Sequence, residues 1–525
     1  MTNTDREAGR FSSFDLAAFF IVLLAAAFRL YRVDIPLIDA HSWRQVTNAD
    51  ITRHFAEGVM NPFVPRVSWG GLNGVVGMEF PLLHYLTALA WLVTGELALV
   101  ARLVAITFSL ATVYLTYLLG ARLFGRPAGR AAALIMAVSP SVVYFGRSFL
   151  SDTPMLTFSV GAVLAWDWYF DRPTARRAAV ASLVTALAAL IKLPAILVLG
   201  PIGGLAVARL GWGTFRDRWL WLGTAASLAM IFGWYWYADR IYLETGLTQA
   251  VFRPSGTYPQ DVAPDVFYGS ISHWATRERL FSGEFWLHMV DRFWGLHLTP
   301  PGFLGVLLGA AFLWRSGRAG VVGLWILAGV LLIAVSVEGQ YRHEFHQMPM
   351  MPPLALLFGV AAAPFFDGAF LKRYAPLPVG VVVVAIAVSA TSVMAFRGSN
   401  VIPSMYRPKN LADRFVAHGI VVQSLVPPDA LIITVDYRAE GANSPMMVYF
   451  ARRQGWTFDF STISPKVIEN LRTRYGAKYF ASSPGAQLLT ERDDIKFYLE
   501  GFEPVPLPPA AGGLVLVDLQ KPRTR

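Results

Sequence analysis

The sequence predicts an all-α polytopic membrane domain of about 11–13 transmembrane helices, followed by a small α/β domain outside the cytoplasm. Hydrophobic residues make up 55% of the chain and charged residues only 15%, against roughly 25% charged residues in soluble domains. Apolar segments of the ~20 residues that a bilayer crossing needs recur along most of the chain. The last part of the chain instead alternates short helical and strand patterns.

The first apolar segment fixes the orientation of the membrane domain. Residues 14–28 follow Arg6 and Arg10 and lack a small-residue cleavage site, so we interpret them as a retained signal anchor. The positive-inside rule then predicts eleven crossings. They are 14–30, 98–119, 131–148, 153–170, 178–192, 194–208, 219–238, 301–314, 319–336, 347–366 and 376–396.

Five basic clusters agree with this orientation, because all of them fall on the side of the N-terminus. They are Arg122, Arg126 and Arg130; Arg172, Arg176 and Arg177; Arg209, Arg216 and Arg218; Arg315 and Arg318; and Lys372 and Arg373. The sequence therefore predicts a multi-pass protein of the inner (plasma) membrane. Its N-terminus is expected in the cytoplasm, and its C-terminal domain in the periplasm or outside the cell.

One further apolar segment, "FPLLHYLTALAWLVTG" at 80–95, is not counted as a crossing. A crossing there would turn the following basic clusters outward, so a short helix at the outer interface or a re-entrant helix is expected. The polar outer face then consists of a first loop (31–97), a second loop (239–300), two short turns (149–152 and 337–346) and the chain after about 400.

The chain divides into a transmembrane domain, 1–398, and an α/β domain, 399–525. In the second domain "LADRFVAHGI" and "SPKVIENLRTRYGA" have helical periodicity, whereas "ALIITVDY", "AKYFASS" and "GGLVLVDLQ" are typical of short strands. No GxxxxGK[ST] or GxGxxG sequence follows any of these strands, so nothing marks a nucleotide site.

Charge and cysteine content exclude several function classes. The net charge is +10, but the arginines lie between apolar segments, where membrane topology explains them better than a nucleic-acid partner does. The chain has no cysteine, which excludes disulfides, cysteine-ligated metals and thiol catalysis.

The stretch "IDAHSWRQVTNAD", residues 38–50, begins just beyond the first predicted crossing and places Asp39 near the membrane boundary. The following "ITRHFAEG" predicts a short amphipathic helix on the bilayer surface, with Ile51 and Phe55 on one side. Asp39 is a candidate catalytic acid. The alternative is an ordinary solvated loop.

A second candidate acid, Asp152, lies in the short turn of "GRSFLSDTPML", where its other role would be to cap the helix that follows. Lys192 lies inside a 31-residue apolar stretch that Pro194 must break. A lysine in such an apolar turn usually has an anionic partner, and a lipid phosphate is a natural one. The alternative is a lysine that extends to the interface.

The turn "VEGQYRHEFHQMP" adds Arg342, His343 and His346 as candidate binding residues, and Glu79 adds an acid at the start of the interfacial segment. The two histidines could share a divalent metal, although a pair three residues apart is weak evidence without a third ligand. No cofactor is otherwise predicted.

Five stretches of the chain resemble the motifs of GT-C superfamily glycosyltransferases, in the branch of bacterial aminoarabinose transferases and protein O-mannosyltransferases. They are "DAHSWRQ...ITRHFAEG", "GMEFPLLHYLTALAWLVTGELALVARL", "GRSFLSDTPML", "LIKLPAILV" and "HEFHQMPMMPPLALLFG", all between residues 14 and 370. The resemblance implies a GT-C-type membrane fold and a monosaccharide donor carried on polyprenyl phosphate.

The resemblance also implies roles for individual residues. Asp39 matches the family's catalytic acid and Asp152 a second acid on the outer face, whereas Lys192 and Arg44 would bind the lipid phosphate. The 341–347 turn would close the cavity, and Trp43 and Trp69 are candidates to stack on sugar faces. Related sequences commonly read W-R-Q-A-D-T after the first acid, whereas this chain reads "WRQVTN", which leaves the role of Asp50 open.

The predicted function is transfer of the monosaccharide to an envelope acceptor, which could be lipid A, a polysaccharide, a lipid or a protein. A carboxylate would act as general base in a single inverting displacement, and cations would stabilise the departing phosphate. Two alternatives are a transporter or flippase for a lipid-linked substrate, for which intramembrane charges are also expected, and a non-catalytic assembly partner.

Overall fold

The computed structural model describes residues 15–249, 258, 261–263, 276–314, 318–368, 405–407, 412–436 and 444–523. These residues form two compact units. Unit 1 contains 15–33, 102–232, 276–314 and 318–368, whereas unit 2 contains 34–101, 233–249, 258, 261–263, 405–407, 412–436 and 444–523.

Unit 1 is helical throughout its described residues, as the apolar composition predicts. Its α-helices are Leu16–Arg29, Arg126–Val138, Pro140–Arg147, Asp152–Asp171, Ala175–Ile191, Leu199–Leu210, Arg277–Leu280, Gly283–Arg292, Thr299–Leu313, Ala319–Val335, Val337–Arg342 and Met351–Ala362. Shorter helical segments are Leu193–Val198, Gly211–Arg216, Phe293–His297, Glu344–Met350 and Ala363–Phe366. Two further helices, Ala98–Phe124 and Arg218–Thr245, contribute residues to both units.

Ten of the eleven predicted crossings coincide with helices, and the eleventh, 376–396, lies outside the described residues. By length and composition, three described helices could cross a membrane: Ala98–Phe124, Leu193–Arg216 and Glu344–Phe366. The number is five if each of two bent helix pairs counts as one span. The total of 11–13 crossings therefore stays a prediction.

The segment that was not counted as a crossing forms the Leu82–Thr94 helix of unit 2. Its 13 residues extend only about 20 Å at 1.5 Å per residue, less than the ~30 Å of a hydrocarbon core. The expectation of a short helix is confirmed.

The predicted crossing at 131–148 is a broken helix. Arg126–Val138 and Pro140–Arg147 meet at an angle of 64°, because Pro140 cannot donate the backbone hydrogen bond that would continue the first helix. Arg29, which is fully buried, contacts the carbonyl groups near the break. Its guanidinium donates to the Ala137 oxygen at 3.0 Å, the Met136 oxygen at 3.1 Å and the Val142 oxygen at 3.3 Å.

Small residues let the Arg126–Val138 helix sit at the centre of unit 1. A side chain at Gly129 would lie 2.5 Å from the Tyr117 oxygen, and one at Gly359 would lie 2.5 Å from the Ala128 oxygen. Neighbouring helices therefore approach at backbone distance, as small residues permit in membrane proteins.

Unit 2 contains the predicted α/β elements together with most of the segment 31–97, which the sequence predicts as the first outer loop. Its helices are Ser42–Glu57, Leu82–Thr94, Ala412–Leu425, Met446–Ala451, Pro465–Arg474, Gly485–Glu491 and Asp493–Leu499, with a 3-10 turn at Pro509–Ala511. Its strands are β1 (Leu431–Asp436), β2 (Gly455–Asp459), β3 (Ala477–Ser483), β4 (Phe502–Pro504) and β5 (Val515–Pro522). The five α/β segments quoted from the sequence are confirmed as helices or strands.

The sheet has the order β2-β1-β3-β5-β4. The first three neighbours are parallel, with Ile433 opposite both Trp456 and Phe480, and β5 runs antiparallel to both β3 and β4. All six residues of β1 are buried, as expected for a parallel strand that is covered on both faces. The division into domains at residue 398 stays a prediction.

Candidate functional site

The predicted site residues fall into two groups, one in each unit. Unit 1 contains Asp152, Lys192, Arg342, His343 and His346, and unit 2 contains Asp39, Arg44 and Glu79.

In unit 1, Asp152 and Lys192 form a close ion pair. Both carboxylate oxygens of Asp152 lie 2.7 Å from the Lys192 ammonium, and the two side chains are only 5% and 17% exposed. Asp152 is the first residue of its helix, whereas Lys192 follows the last residue of the Ala175–Ile191 helix. Each charge therefore faces the favourable end of a helix dipole.

This pair changes two expectations. The capping position before the helix is occupied by Ser151, and the Asp152 carboxylate binds the Lys192 ammonium, so the capping interpretation of Asp152 is wrong. The helix does break at Lys192, with Pro194 in the 3-10 turn that follows. The anionic partner of Lys192 in the structure is Asp152, and a phosphate partner stays a prediction.

Phe345 brings the histidines of the 337–346 turn to this pair. The Lys192 ammonium lies 4.8 Å from the centre of the Phe345 ring, within the range of a cation–π interaction. The rings of His343 and His346 lie 5.2 Å and 4.6 Å from the same ring. The structure thus gathers four of the five unit 1 candidates in one cluster.

Arg342, the fifth candidate, is more exposed and lies 4.0 Å from Glu338. Glu338 also accepts a 2.7 Å hydrogen bond from Arg279. The turn itself is held by Gln347, whose amide donates to the backbone oxygens of Gln340 at 2.9 Å and of His343 at 3.2 Å. These contacts fix the backbone that carries the two histidines.

A metal site at the two histidines lacks a third ligand in this structure. The rings of His343 and His346 lie 5.2 Å apart, and the described residues contain no group of three or more histidine, aspartate or glutamate side chains that could hold an ion.

In unit 2, Asp39 is fully buried. Its Oδ1 atom accepts a 2.7 Å hydrogen bond from the Gln45 amide, which also donates to the Ala40 oxygen at 2.9 Å. His41, between them, has a φ of 59°, a left-handed conformation that is uncommon outside glycine. Backbone strain of this kind clusters at functional sites.

The segment "ITRHFAEG", residues 51–58, is not the surface-lying amphipathic helix that we expected. The Ser42–Glu57 helix is buried on most of its circumference, including Gln45, Asp50 and Arg53. Asp50 is bound to Ser68, whose backbone nitrogen lies 2.7 Å from Oδ2 and whose hydroxyl lies 2.5 Å from Oδ1. Asp50 thus connects this helix to the middle of the first loop, and the solvated-loop alternative is wrong for these residues.

His54 lies beside the same contact, with its Nε2 atom 3.1 Å from the Ser68 hydroxyl. Burial lowers the pKa of His54 below its ordinary value, although the nearby Asp50 carboxylate opposes this change. The neutral imidazole is therefore the form that fits the folded unit.

A buried ion cluster lies at the far end of the Ser42–Glu57 helix. Arg53 donates to the two carboxylate oxygens of Glu96 at 2.9 Å and 2.7 Å and to the backbone oxygen of Tyr449 at 2.7 Å. Burial alone would raise the pKa of Glu96, but hydrogen bonds from Arg53 and Tyr449 and the charge of Arg452 lower it below its ordinary value. Glu96 is therefore ionised in the folded unit.

The remaining unit 2 candidates, Arg44, Glu79 and Trp69, differ in burial and in their contacts. Arg44 donates to the Gln249 side chain at 2.8 Å and lies 4.9 Å from the centre of the Trp43 ring. Glu79 is half-buried. Trp69 is buried, with 2% of its surface exposed, and the stacking of its ring on a sugar stays a prediction.

Sequence reasoning missed several residues that shape these clusters. Gln45 was visible in the quoted stretch six residues after Asp39, but an amide gives no catalytic signal. Phe345 was one of many aromatic residues in an apolar chain. The partnership of Arg53 with Tyr449 carries no sequence signal, because 396 positions separate the two residues.

Comparison with known proteins adds one family match. The sequence model of the dolichyl-phosphate-mannose-protein mannosyltransferase family matches residues 79–237. This match contains the Leu82–Thr94 helix, Asp152 and Lys192. No curated protein sequence matches the chain at a significant level.

Solved structures match over nearly the whole chain. ArnT from Cupriavidus metallidurans in the apo state is 15% identical, with 95% of this chain and 97% of that chain covered and a TM-score of 0.62. ArnT bound to undecaprenyl phosphate is also 15% identical, with the same coverage and a TM-score of 0.59. The Archaeoglobus fulgidus oligosaccharyltransferase in complex with Zn and sulfate is 12% identical, with 93% and 71% covered and a TM-score of 0.58. The chain therefore has the fold of ArnT and of the archaeal oligosaccharyltransferase, and the family match over residues 79–237 agrees with the resemblance seen in the sequence.

Proposed function

We propose that this protein is a glycosyltransferase that moves a monosaccharide from a polyprenyl-phosphate-linked donor to an acceptor of the cell envelope. The reaction takes place on the outer face of the inner (plasma) membrane. The family match over residues 79–237 and the fold shared with ArnT support transfer from a lipid-linked donor. One of the similar ArnT structures is bound to undecaprenyl phosphate, which favours a polyprenyl phosphate as the donor's lipid.

The observation that carries the proposal is the position of Asp39. A carboxylate that is fully buried and oriented by a hydrogen bond from Gln45 has its geometry fixed before substrate binds, as a general base requires. A loop with only a solubilising role has no need to hold a carboxylate in this way.

In the proposed reaction Asp39 accepts the proton of an acceptor hydroxyl. The hydroxyl oxygen attacks the anomeric carbon of the donor sugar, and the bond from that carbon to the phosphate oxygen breaks. The polyprenyl phosphate leaves with the bonding electrons, and the configuration at the anomeric carbon inverts. General-base assistance of this kind contributes about 10²–10⁴-fold to the rate.

The cationic candidates would bind the phosphate of the donor. The Lys192 ammonium already binds one anionic group, the Asp152 carboxylate, at 2.7 Å, and a donor phosphate would be a second anion of suitable size. Arg44 could offer a guanidinium, which binds phosphate well. Glu79, Arg342, His343 and His346 are proposed as further donor-binding residues.

The test compares envelope glycolipids and glycans from cells with and without the protein by mass spectrometry. Loss of one sugar-bearing species, with accumulation of its polyprenyl-phosphate donor, is the expected result. Re-expression of Asp39→Asn should restore less than about 1% of the product, because the amide cannot accept the proton.

Asp429→Asn is the matched control, since that carboxylate is 78% exposed and should be neutral for transfer. Both variants must be present in the membrane at wild-type abundance. Full restoration by Asp39→Asn would disprove the general-base assignment, and an unchanged glycan profile in cells without the protein would disprove the transferase function.

A further inference from the structure

In unit 2 the first outer loop is built into the edge of the C-terminal sheet. The Gly455 nitrogen donates to the Ser68 oxygen at 2.9 Å, and the Gly71 nitrogen donates to the Gly455 oxygen at 2.8 Å. Gly71 has a φ of 72°, which glycine adopts without strain. The loop therefore covers the open edge of β2, which would otherwise present unpaired backbone groups.

The Ser42–Glu57 helix is fastened to the same sheet domain by its second half. Arg53 binds the backbone oxygen of Tyr449, and its guanidinium carbon lies 3.8 Å from the centre of the Tyr449 ring. The Tyr449 hydroxyl contacts Glu96 at 2.5 Å. Arg452 adds a 2.7 Å ion pair to Glu57. The charged groups of Arg53 and Glu96 are thus satisfied mainly by each other and by the C-terminal domain.

The segment that carries Asp39, just before the Ser42–Glu57 helix, has a separate contact with the C-terminal part of the chain. The Ala40 nitrogen, next to Asp39, donates to the Met405 oxygen at 3.0 Å. From there the Asp39–Gln45 hydrogen bond leads into the helix, and Arg53 lies eight residues further along, about 12 Å at 1.5 Å per residue. A helix of this length is stiff, so a displacement at Arg53 is passed to Gln45.

We propose that Arg53 is a positioning residue, through which the C-terminal domain holds the Asp39 segment in the geometry that transfer requires. This inference rests on the proposed function of Asp39. It assigns the C-terminal domain a part in catalysis without any contact to substrate. A shift of about 1 Å at a reacting group can cost about 100-fold in rate. Loss of the contacts that Arg53 makes should therefore lower the amount of product.

The experiment uses the full-length protein and reads two quantities. Amide hydrogen exchange of the purified protein in detergent reports the order of residues 39–57, and mass spectrometry of the envelope reports transfer in cells. The variants are Arg53→Met, which removes the hydrogen bonds, and Tyr449→Phe, which removes only the hydroxyl contact to Glu96. The matched control is Arg472→Met, which breaks an exposed pair with Glu469 on the same domain.

Arg53→Met should raise exchange in 39–57 at least tenfold and lower product about 100-fold, while β1 keeps its protection. Tyr449→Phe should change both quantities in the same direction by a smaller factor, and it remains informative if Arg53→Met does not fold. Arg53→Lys should restore part of the product, because it keeps the charge but not the forked hydrogen bonds. Arg472→Met should match the wild type.

Loss of product without a change in exchange would overturn the proposal, and so would increased exchange with full product. The wild-type sample distinguishes a failure of the positioning role of Arg53 from a failure of the proposed function. If wild-type protein adds no sugar to the envelope, the transferase assignment is wrong, whatever the exchange of the variants shows.

Discussion

The contact between Asp152 and Lys192 illustrates how one residue can have two competing partners. The pair is nearly buried, so each charge depends on the other to offset its lost hydration. A donor phosphate that binds Lys192 would have to share the ammonium with the carboxylate. The ion pair would then hold Lys192 in place while the donor site is empty.

Removing one partner of this pair should therefore cost more than removing both. Lys192→Met leaves the buried Asp152 carboxylate without its cation, and Asp152→Asn leaves the Lys192 ammonium without its anion. Each variant should therefore destabilise the protein by about 3–5 kcal/mol. The double variant should lose clearly less than the sum. The measurement is the free energy of unfolding in detergent by denaturant titration.

The exposed pair Arg472 and Glu469 is the control, and its variants should change stability by less than about 1 kcal/mol. Strictly additive losses at Asp152 and Lys192 would show that the two side chains do not depend on each other.

At the scale of elements, the broken helix at Pro140 shows how a membrane domain accommodates freed carbonyl groups. The 64° bend leaves backbone oxygens at the end of Arg126–Val138 without helical partners, and Arg29 supplies hydrogen bonds to them. The proline was visible in the sequence, but Arg29 lies more than 100 residues earlier, at the end of the first helix. No local pattern connects the two.

Arg29→Met should destabilise unit 1 by about 3 kcal/mol or more, because several buried carbonyl oxygens lose their donors at about 1–3 kcal/mol each. The expected readout is a lower midpoint of unfolding in detergent. Arg176→Met, at an exposed arginine in the first turn of the Ala175–Ile191 helix, should leave the midpoint within error. Equal midpoints for both variants would contradict the role of Arg29 at the break.

The elements show where sequence reasoning succeeded and where it could not. The C-terminal helices and strands were predicted because periodicity and turn residues are local signals. The segment "ITRHFAEG" was predicted as a short amphipathic helix because Ile51 and Phe55 lie on one side of it, but in the structure it forms the second half of the Ser42–Glu57 helix. Its polar residues are buried as well, since their partners, such as Ser68 and Tyr449, come from other segments.

The same distinction applies to the candidate site. The acids and the lysine were found because charges are rare in apolar surroundings. Their partners were not, except that an anion near Lys192 was expected. Which carboxylate it would be depends on the packing of two helices, and the sequence contains no record of that packing.

At the scale of the whole molecule, unit 2 is assembled from distant stretches of chain through ionised and buried groups, so its stability should depend on pH. The lowered pKa of His54 means that the neutral form stabilises the fold fully above about pH 6.5, and that this stability is lost as the pH falls below that value. The lowered pKa of Glu96 adds a second loss as the pH falls below about 4.5.

The thermal unfolding midpoint should therefore fall between pH 7.5 and pH 5.5, and again below pH 4.5. His54→Gln keeps a polar side chain but cannot titrate, so its midpoint should change less than that of the wild type between pH 7.5 and pH 5.5. Parallel curves for the two proteins would show that His54 does not contribute to the acid sensitivity.

The attachment of Arg53 to Tyr449 also has a consequence for biosynthesis. Tyr449 is synthesised 396 residues after Arg53, which at 5–20 residues per second takes about 20–80 s. Throughout that interval the loop that carries Asp39 has left the ribosome while the domain that holds it does not yet exist. The nascent protein must therefore maintain this loop without the contacts of Arg53 and Glu96 to Tyr449 until the last quarter of the chain arrives. Asp39, the proposed general base, acquires its final surroundings only when the chain is nearly complete.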